Sequence, residues 1–213
     1  HVVVRADAGT RVGAGHVVRC TSLARALEER GAQVTLVGRM APQLADRIRA
    51  AGAEAVPLDA DGPGATRSPG EIWDDAEQAA DAALTRERAG AADVTVVDHY
   101  GLDARWERAA PSDAVVVVDD LANRSHHCVA VVDHNWYGPG TGDRYSAVAP
   151  GARLLLGPRY ALLQREYRDL RTRPGGDPNW PPRRVLVSFG GTDATGETTK
   201  AVRALTTPDT PVA

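Results

Sequence analysis

Cysteine is scarce in this sequence of 213 residues, which contains only Cys20 and Cys128. The two cysteines lie far apart and each stands alone, so they match neither the paired spacing of a zinc site nor a disulfide framework. This scarcity is typical of a protein in a reducing compartment, and we expect a cytoplasmic location.

Long apolar runs and an excess of positive charge are also missing. No stretch is long enough to span a bilayer, so we expect no membrane partner. The net charge of −3 gives no reason to expect a nucleic acid partner. With 43% apolar and 25% charged residues, the composition is that of an ordinary globular chain, long enough to bury the core of one large or two modest domains.

Short runs of β-branched residues alternate with helix-like segments along most of the chain. Nearly continuous apolar runs are typical of parallel strands covered on both faces. The sequence therefore predicts an α/β fold with a doubly wound parallel sheet in the N-terminal domain. The predicted strands span residues 2–6, 33–38, 54–58, 94–98, 114–119, 129–133 and 153–157, and the predicted helices about 15–30, 42–51, 70–88 and 102–110.

A change of composition separates two parts of the chain. Residues 168–183 are rich in proline, glycine and charge, which predicts a linker after an N-terminal Rossmann-like domain at residues 1–167. Residues 184–213 begin again as strand, glycine turn and helix, like the start of a second Rossmann-like, nucleotide-binding domain. One such unit cannot bury a core by itself, so we expect this second domain to be incomplete here.

The segment RADAGTRVGAGHVVRC (residues 5–20) joins the first predicted strand to the first predicted helix. A dinucleotide fingerprint would need a third glycine where Val18 stands, and no ribose-binding acid follows the second strand, so nicotinamide binding is disfavoured. Gly13 and Gly15 instead allow close backbone approach to an anionic ligand at the helix start.

His16 stands at the start of that helix. The positive end of the helix dipole favours the neutral imidazole, which can accept a proton. Arg5, Asp7 and Arg19 add polar groups around it. An ordinary tight turn with a solvent-facing histidine is the alternative, but these companions favour a functional loop.

Polar side chains also follow three later strands, and the carboxyl ends of parallel strands meet at one edge of a sheet. We therefore expect them to line a single cleft. An acid followed by histidine at each end could suggest a metal site, but no zinc spacing is present, and such acids commonly satisfy caps or loop amides. We expect no metal and no cofactor. The residues concerned are Asp98, His99 and Tyr100, then Asp119, Asp120, Arg124, His126 and His127, then Asp133, His134 and Asn135.

A second strand–glycine–helix junction occurs at SFGGTD, residues 188–193. Its glycines, Gly190 and Gly191, would allow close approach to a diphosphate, and Thr192 and Asp193 are possible helix caps. Two adjacent glycines alone are a weak indication.

Five stretches of the sequence together resemble a known family. They span residues 5–199 in the expected order: RADAGTRVGAGHVVRCTSLA, VVDHYGLDARWE, VVDDLANRSHHCVAVVDHN, LLLGPRYALLQREY and VSFGGTDATGETT. The chain is similar in these stretches to the UDP-2,4-diacetamido-2,4,6-trideoxy-β-L-altropyranose hydrolases of pseudaminic acid biosynthesis. The resemblance implies a two-domain glycosyltransferase-like (GT-B) architecture in which water replaces the sugar acceptor.

The resemblance also implies a mechanism and a set of site residues. The C1–O bond of the UDP-sugar would be cleaved with inversion and without metal, releasing UDP. His16 falls on the family's proposed general base, Tyr100 on its D-H-Y tyrosine, and Gly190–Gly191 on the glycine loop near UDP. The expected substrate-binding residues are Asp7, Gly13, Gly15, Arg19, Asp98, Tyr100, Asp120, Asn135, Gly190, Gly191, Thr192 and Asp193.

Two other functions remain open at this point. A GT-B glycosyltransferase with a nucleotide-sugar donor could use His16 to activate an acceptor hydroxyl instead of water. The chain could also be an inactive fragment that binds a UDP-sugar.

Overall fold

Seven parallel strands form one sheet in the order β3-β2-β1-β4-β5-β6-β7 in the computed structural model. All seven lie within the predicted ranges, and the order reverses direction beside β1, as a doubly wound sheet requires. The predicted Rossmann-like α/β fold is confirmed. Strands β1 to β7 are Val2–Ala6, Val34–Gly38, Glu54–Pro57, Val94–Asp98, Val115–Val118, Ala130–Asp133 and Arg153–Leu156.

The structure describes residues 1–9, 13–59, 62, 64, 67–68, 70–170, 184–189, 193 and 195–206. It divides into two units, His1–Gln164 and Arg165–Ala213. The whole sheet belongs to the first unit. No helix in the described ranges is long and apolar enough to cross a membrane.

Helices pack on both faces of the sheet because successive strand residues point to opposite sides. In β4, Val96 joins the cluster that contains Val17 and Ile48 from the helices of one face. The next residue, Val97, packs with Ala82 and Trp106 from the other face. This is why the strands have continuous apolar runs. Helices α1 to α4 are Gly15–Glu28, Pro42–Ala50, Asp75–Ala89 and Ala104–Arg108.

Two of these helices begin later than the sequence predicts, because capping side chains set their first residues. The helix predicted over residues 70–88 begins only at Asp75, where Asp74 and Glu77 form a capping box. The helix predicted over residues 102–110 begins at Ala104, because the Asp103 carboxylate accepts the backbone N–H of Arg105.

Strand β2 ends at a glycine that the sheet requires. A Cβ at Gly38 would lie 1.7 Å from the carbonyl oxygen of Ala6 and 3.1 Å from Asp7 Oδ1. Any side chain here would push apart β1 and β2 at their carboxyl ends. Gly38 thus allows the close strand spacing next to the candidate site.

In the described residues of the second unit, two helices are present, α5 at Arg165–Leu170 and α6 at Glu197–Thr206. The predicted helix after the glycine turn is therefore present, but the strand predicted at its start is not, since residues 184–189 form no strand. A strand needs a hydrogen-bonded neighbour to be stable, and these residues have none in the part of the chain that the structure describes. Leu186 is accordingly 93% exposed.

Candidate active site

The candidate site lies where the chain leaves β1 and β4 in opposite directions. These strands are direct neighbours, with Ala6 opposite Asp98 at their carboxyl ends. After β1 the chain forms α1 and continues to β2, whereas after β4 it continues to β5 on the other side. In open α/β sheets the crevice at this reversal is where ligands bind. His16 and Asp98 meet here.

The Asp98 carboxylate holds the His16 ring. His16 Nδ1 lies 2.5 Å from Asp98 Oδ1, and Asp98 is fully buried while His16 is 6% exposed. An ionised carboxylate can only accept hydrogen bonds, so Nδ1 carries the ring proton. The lone pair of neutral His16 then lies on Nε2, which has no hydrogen-bond partner among the described residues. This is the tautomer that a general base requires.

Arg19 keeps the Asp98 carboxylate ionised. Its Nε donates to Oδ2 and its Nη2 to Oδ1, each at 2.5 Å. Burial opposes ionisation of Asp98, but hydrogen bonds from Arg19 and His16 outweigh it and lower the pKa to about 2. Arg19 Nη2 also lies 3.2 Å from His16 Nδ1, but both nitrogens carry hydrogens in this tautomer. Arg19 and Asp98 are both predicted to bind substrate, and in the structure they bind each other.

Tyr100 contacts the other side of the His16 ring. The two ring centroids are 4.6 Å apart and the planes stand at 83°, which is an edge-to-face contact. Burial, and after it the nearby Asp120 carboxylate, raise the pKa of Tyr100 to about 12. Its phenol is therefore neutral at physiological pH.

Asp120 and Asn135 extend this line of polar groups to the ends of β5 and β6. Asn135 Nδ2 donates to Asp120 Oδ2 at 3.5 Å, while Asp120 Oδ1 is buried and has no hydrogen-bond partner in the described ranges. The structure thus brings six of the predicted residues to the carboxyl edge of the sheet. They are Arg19, His16, Asp98, Tyr100, Asp120 and Asn135.

Asp7 lies beside this group, but internal contacts occupy its carboxylate. Oδ1 accepts the backbone N–H of Arg39 at 2.8 Å and the Arg5 guanidinium. Oδ2 accepts from Arg39 Nη1 at 3.0 Å and lies 3.2 Å from His99 Nε2. Burial raises the pKa of Asp7, and the charge of Arg5 with the His99 contact lowers it well below its usual value. These bonds account for its position without a ligand, so substrate binding by Asp7 stays a prediction.

Two glycines precede His16 at the end of the first loop. Gly13 exchanges backbone hydrogen bonds with Gly9 at 2.7 and 3.1 Å and has φ of +77°, a conformation that favours glycine. Gly15 is the first residue of α1. Among the described residues, which leave out residues 10–12 of this loop, no heavy atom outside its chain neighbours and its own helix backbone lies within 4 Å of where its Cβ would be.

The structure describes only part of the second glycine loop. Gly190, Gly191 and Thr192 lie outside the described residues, so their contact with a diphosphate stays a prediction. Asp193 caps α6, with its carboxylate accepting the backbone N–H of Glu197 at 2.8 Å and of Thr198 at 3.0 Å. The capping role predicted for Asp193 is thus observed.

The remaining strand-end acids hold loops in place. Arg124 Nη1 donates to Asp119 Oδ1 at 2.6 Å, and the Tyr145 hydroxyl donates to Asp133 Oδ2 at 2.9 Å. His126 turns away towards Glu107, with 2.8 Å between Nδ1 and Oε1. Within the described part of the chain, no three histidine, cysteine or acidic side chains are arranged to hold a metal ion.

A buried ion pair beneath the site was missed by the sequence analysis. Arg5 is fully buried, and its Nε and Nη2 donate to the Asp81 carboxylate at 2.9 and 2.8 Å. Trp106 Nε1 donates to the same carboxylate at 2.9 Å. Arg5 is therefore a structural residue rather than a free group at the strand end. The only indication in the sequence was an acid, Asp81, on the otherwise apolar or neutral face of α3.

Three solved structures resemble this chain, each with a low TM-score. No protein-family model and no curated protein matches the chain. The calicheamicin glycosyltransferase CalG4 is 24% identical, with a TM-score of 0.37 over 71% of this chain and 37% of that one. MurG of Acinetobacter baumannii is 16% identical, with a TM-score of 0.38 over 70% of this chain and 39% of that one. A short-chain dehydrogenase from Streptomyces avermitilis is 18% identical, with a TM-score of 0.35 over 99% of this chain and 85% of that one.

Proposed function

We propose that this protein hydrolyses a UDP-linked amino-deoxy sugar, UDP-2,4-diacetamido-2,4,6-trideoxy-β-L-altropyranose or a close relative, at its anomeric C1–O bond. The observation that carries the proposal is the His16–Asp98 pair at the reversal point of the sheet. In this pair, His16 Nε2 has no hydrogen-bond partner among the described residues, and His16 lies in the first turn of α1. The motifs shared with the sugar hydrolases supply the substrate class.

The chemistry needs one base rather than the usual two carboxylates. Ordinary glycosidases must protonate a poor leaving group, whereas UDP leaves as a stabilised anion. His16 Nε2 takes one proton from water, the water oxygen bonds to C1, and the C1–O bond to the diphosphate breaks with its electrons going to UDP. Attack opposite to the leaving group inverts C1, and His16 then returns its proton to solvent.

The departing diphosphate requires positive electrostatics. We propose that the glycine loop at Gly190–Gly191, in a nucleotide-binding domain that begins near residue 184, supplies backbone N–H groups for it, with Thr192 beside them. The helix start at Gly15 would approach the sugar side. The polar side chains that follow the carboxyl ends of β1, β4, β5 and β6 would then surround the hexose.

A glycosyltransferase is the second candidate function. The same nitrogen, His16 Nε2, could accept a proton from a sugar or aglycone hydroxyl instead of from water. The two reactions differ in whether UDP is released when no acceptor is present.

An NMR time course with UDP-sugars tests the proposal directly. The protein is incubated with UDP-2,4-diacetamido-2,4,6-trideoxy-β-L-altropyranose and, as a comparison, UDP-N-acetylglucosamine, without acceptor. We expect release of UDP with a free sugar of inverted anomeric configuration. A strict acceptor requirement would favour the transferase, and retention of configuration would contradict the single displacement. If calorimetry detects no binding of UDP, only a scaffold role remains.

The Asp98→Asn variant tests the tautomer argument. We expect kcat to fall by about 10²–10⁴-fold, because an amide can donate to Nδ1 and so place the proton on Nε2, where the base is needed. The measurement is the steady-state rate of UDP release. Cys20→Ser is the matched control, because Cys20 Sγ contacts the same carboxylate, 3.4 Å from Oδ2, but not the His16 ring. An Asp98→Asn enzyme with the rate of this control would show that Asp98 does not direct His16.

A further inference from the structure

The buried Asp98 carboxylate has a second effect on the proposed base, opposed to its effect on the tautomer. A carboxylate beside an imidazole favours the protonated, cationic ring, and a protonated His16 has no lone pair to take a proton from water. His16 Nδ1 lies 2.5 Å from Asp98 Oδ1, and Asp98 is fully buried. Without a cation to balance this carboxylate, the ring would hold a proton on the nitrogen where the base is needed.

Arg19 supplies the balancing cation. Its Nε and Nη2 donate to the two Asp98 oxygens at 2.5 Å each, which makes a bidentate, charge-assisted contact against the single bond from His16. The Arg19 side chain is 17% exposed, so solvent and salt screen the pair only weakly. Burial lowers the pKa of Arg19, but the hydrogen bonds and charge of Asp98 outweigh it and raise the pKa above its ordinary value. The guanidinium therefore keeps its charge.

The same guanidinium acts on the His16 ring directly. Arg19 Nη2 lies 3.2 Å from His16 Nδ1, and since both nitrogens carry hydrogens, this contact opposes a further positive charge on the ring. His16 is also the second residue of α1, where the positive end of the helix dipole disfavours a cation. In the described part of the chain, the titratable groups that contact the ring are Asp98, Arg19 and Tyr100, with Cys20 behind the Asp98 carboxylate.

We infer that Arg19 is a positioning residue, which offsets the Asp98 charge and so keeps His16 Nε2 free to take a proton from water at physiological pH. The inference rests on the proposed function and deepens it. It gives Arg19 a role different from the substrate binding that the sequence predicts. Asp98 then determines which ring nitrogen carries the proton, and Arg19 determines the pH range in which the other nitrogen has none.

The pH dependence of kcat for UDP release tests this inference in Arg19→Met, which removes the charge but keeps an apolar stem. Without the guanidinium, the His16–Asp98 pair takes up a proton at higher pH, and the base is lost there. We expect the acid limb of the kcat profile to move to higher pH by about 1–3 units, the effect of a charge within about 4–6 Å, with KM near that of the wild type. Arg19→Lys keeps the charge and should hold the limb near its wild-type position.

Arg19→Gln serves as a second variant if Arg19→Met does not fold. Its amide can still donate a hydrogen bond to Asp98 but carries no charge, so we expect the same shift of the acid limb. Arg25→Met is the matched control, because Arg25 lies on the same helix, is 44% exposed and is 3.7 Å from Glu29. It should keep the wild-type profile.

Other results would overturn the inference. An acid limb that stays in place in the uncharged variants would show that the Arg19 charge does not control the base. If KM rises while the limb stays in place, Arg19 is a substrate ligand. If kcat falls equally at every pH, Arg19 has only a structural role. A limb shifted as far in Arg19→Lys as in Arg19→Met would also reject the charge as the cause.

A titration without substrate separates this inference from the proposed function. In ¹⁵N spectra of the histidine rings, the His16 signals are those lost in His16→Asn. In Arg19→Met these signals should reach their protonated positions at a higher pH than in the wild type, whereas Arg25→Met should titrate like the wild type. An unshifted titration would overturn the inference even if the enzyme hydrolyses UDP-sugars. A shifted titration in a protein that releases no UDP would support the role of Arg19 and reject the proposed function.

Discussion

The His16→Asn variant is expected to lose about 10²–10⁴-fold in kcat, the range that a general base contributes, while its affinity for the UDP-sugar stays near that of the wild type. Asparagine can place its amide nitrogen where Nδ1 lies and so keep the hydrogen bond to Asp98. It has no group that could accept a proton at the position of Nε2. The change therefore removes the base but preserves the buried Asp98–Arg19 pair.

The loss should appear in single-turnover release of UDP, with affinity measured separately by calorimetry. His127→Asn is the matched control, because His127 is exposed and lies before β6, away from the carboxyl edge of the sheet. Near-normal UDP release by His16→Asn would remove His16 as the base. A large loss of affinity with unchanged kcat would instead make it a substrate ligand.

The fold was predictable because its information is local. The Val115–Val118 strand, for example, is a run of four valines, which a strand covered on both faces requires and a surface strand would not have. The first residues of the helices were less predictable. The Asp74 and Asp103 side chains accept backbone hydrogen bonds at the helix start, and these bonds compete with an earlier start of the helix. The strand predicted at residues 184–189 is absent for a non-local reason. Its apolar pattern is favourable, but a strand also depends on a neighbour.

The candidate site was predictable only as a set of residues. Since chemistry-bearing residues follow parallel strands, the sequence indicates that they share one edge. It does not give their pairing, because His16 and Asp98 become neighbours only through the strand order, which places β4 beside β1. The same holds for Arg5 and Asp81, 76 residues apart. Asp81 looks like an ordinary helical acid until the packing of α3 on the sheet buries it.

The Arg5→Met variant is expected to lower the free energy of unfolding by about 3–5 kcal/mol at pH 7, because it leaves buried carboxylates without their main cation. Methionine keeps an apolar side chain of similar length, so the loss reflects charge rather than volume. The Asp81 side chain is fully buried and pairs with Arg5 Nη2 at 2.8 Å, whereas Arg39 Nη1 is 3.9 Å away and compensates only weakly. Urea denaturation followed by circular dichroism measures the difference.

The pH dependence of this loss identifies its source. Burial alone would raise the pKa of Asp81, but the charge and hydrogen bonds of Arg5 lower it below the ordinary value of 3.8. A carboxylate with a lowered folded pKa stabilises the protein above pH 3.8 and loses that contribution as the pH falls through the folded value. Arg5→Met leaves the burial of Asp81 without this offset, so the folded variant takes up the proton at a higher pH than the folded wild type does. The stability gap between the two proteins should therefore narrow as the pH falls from 7 towards the lowered pKa of wild-type Asp81. Arg88→Met is the control, because Arg88 is half exposed and 3.8 Å from Glu87, and such surface pairs contribute about 0–1 kcal/mol. A destabilisation by Arg5→Met no larger than that of Arg88→Met, or a gap constant with pH, would show that the fold does not depend on the buried pair.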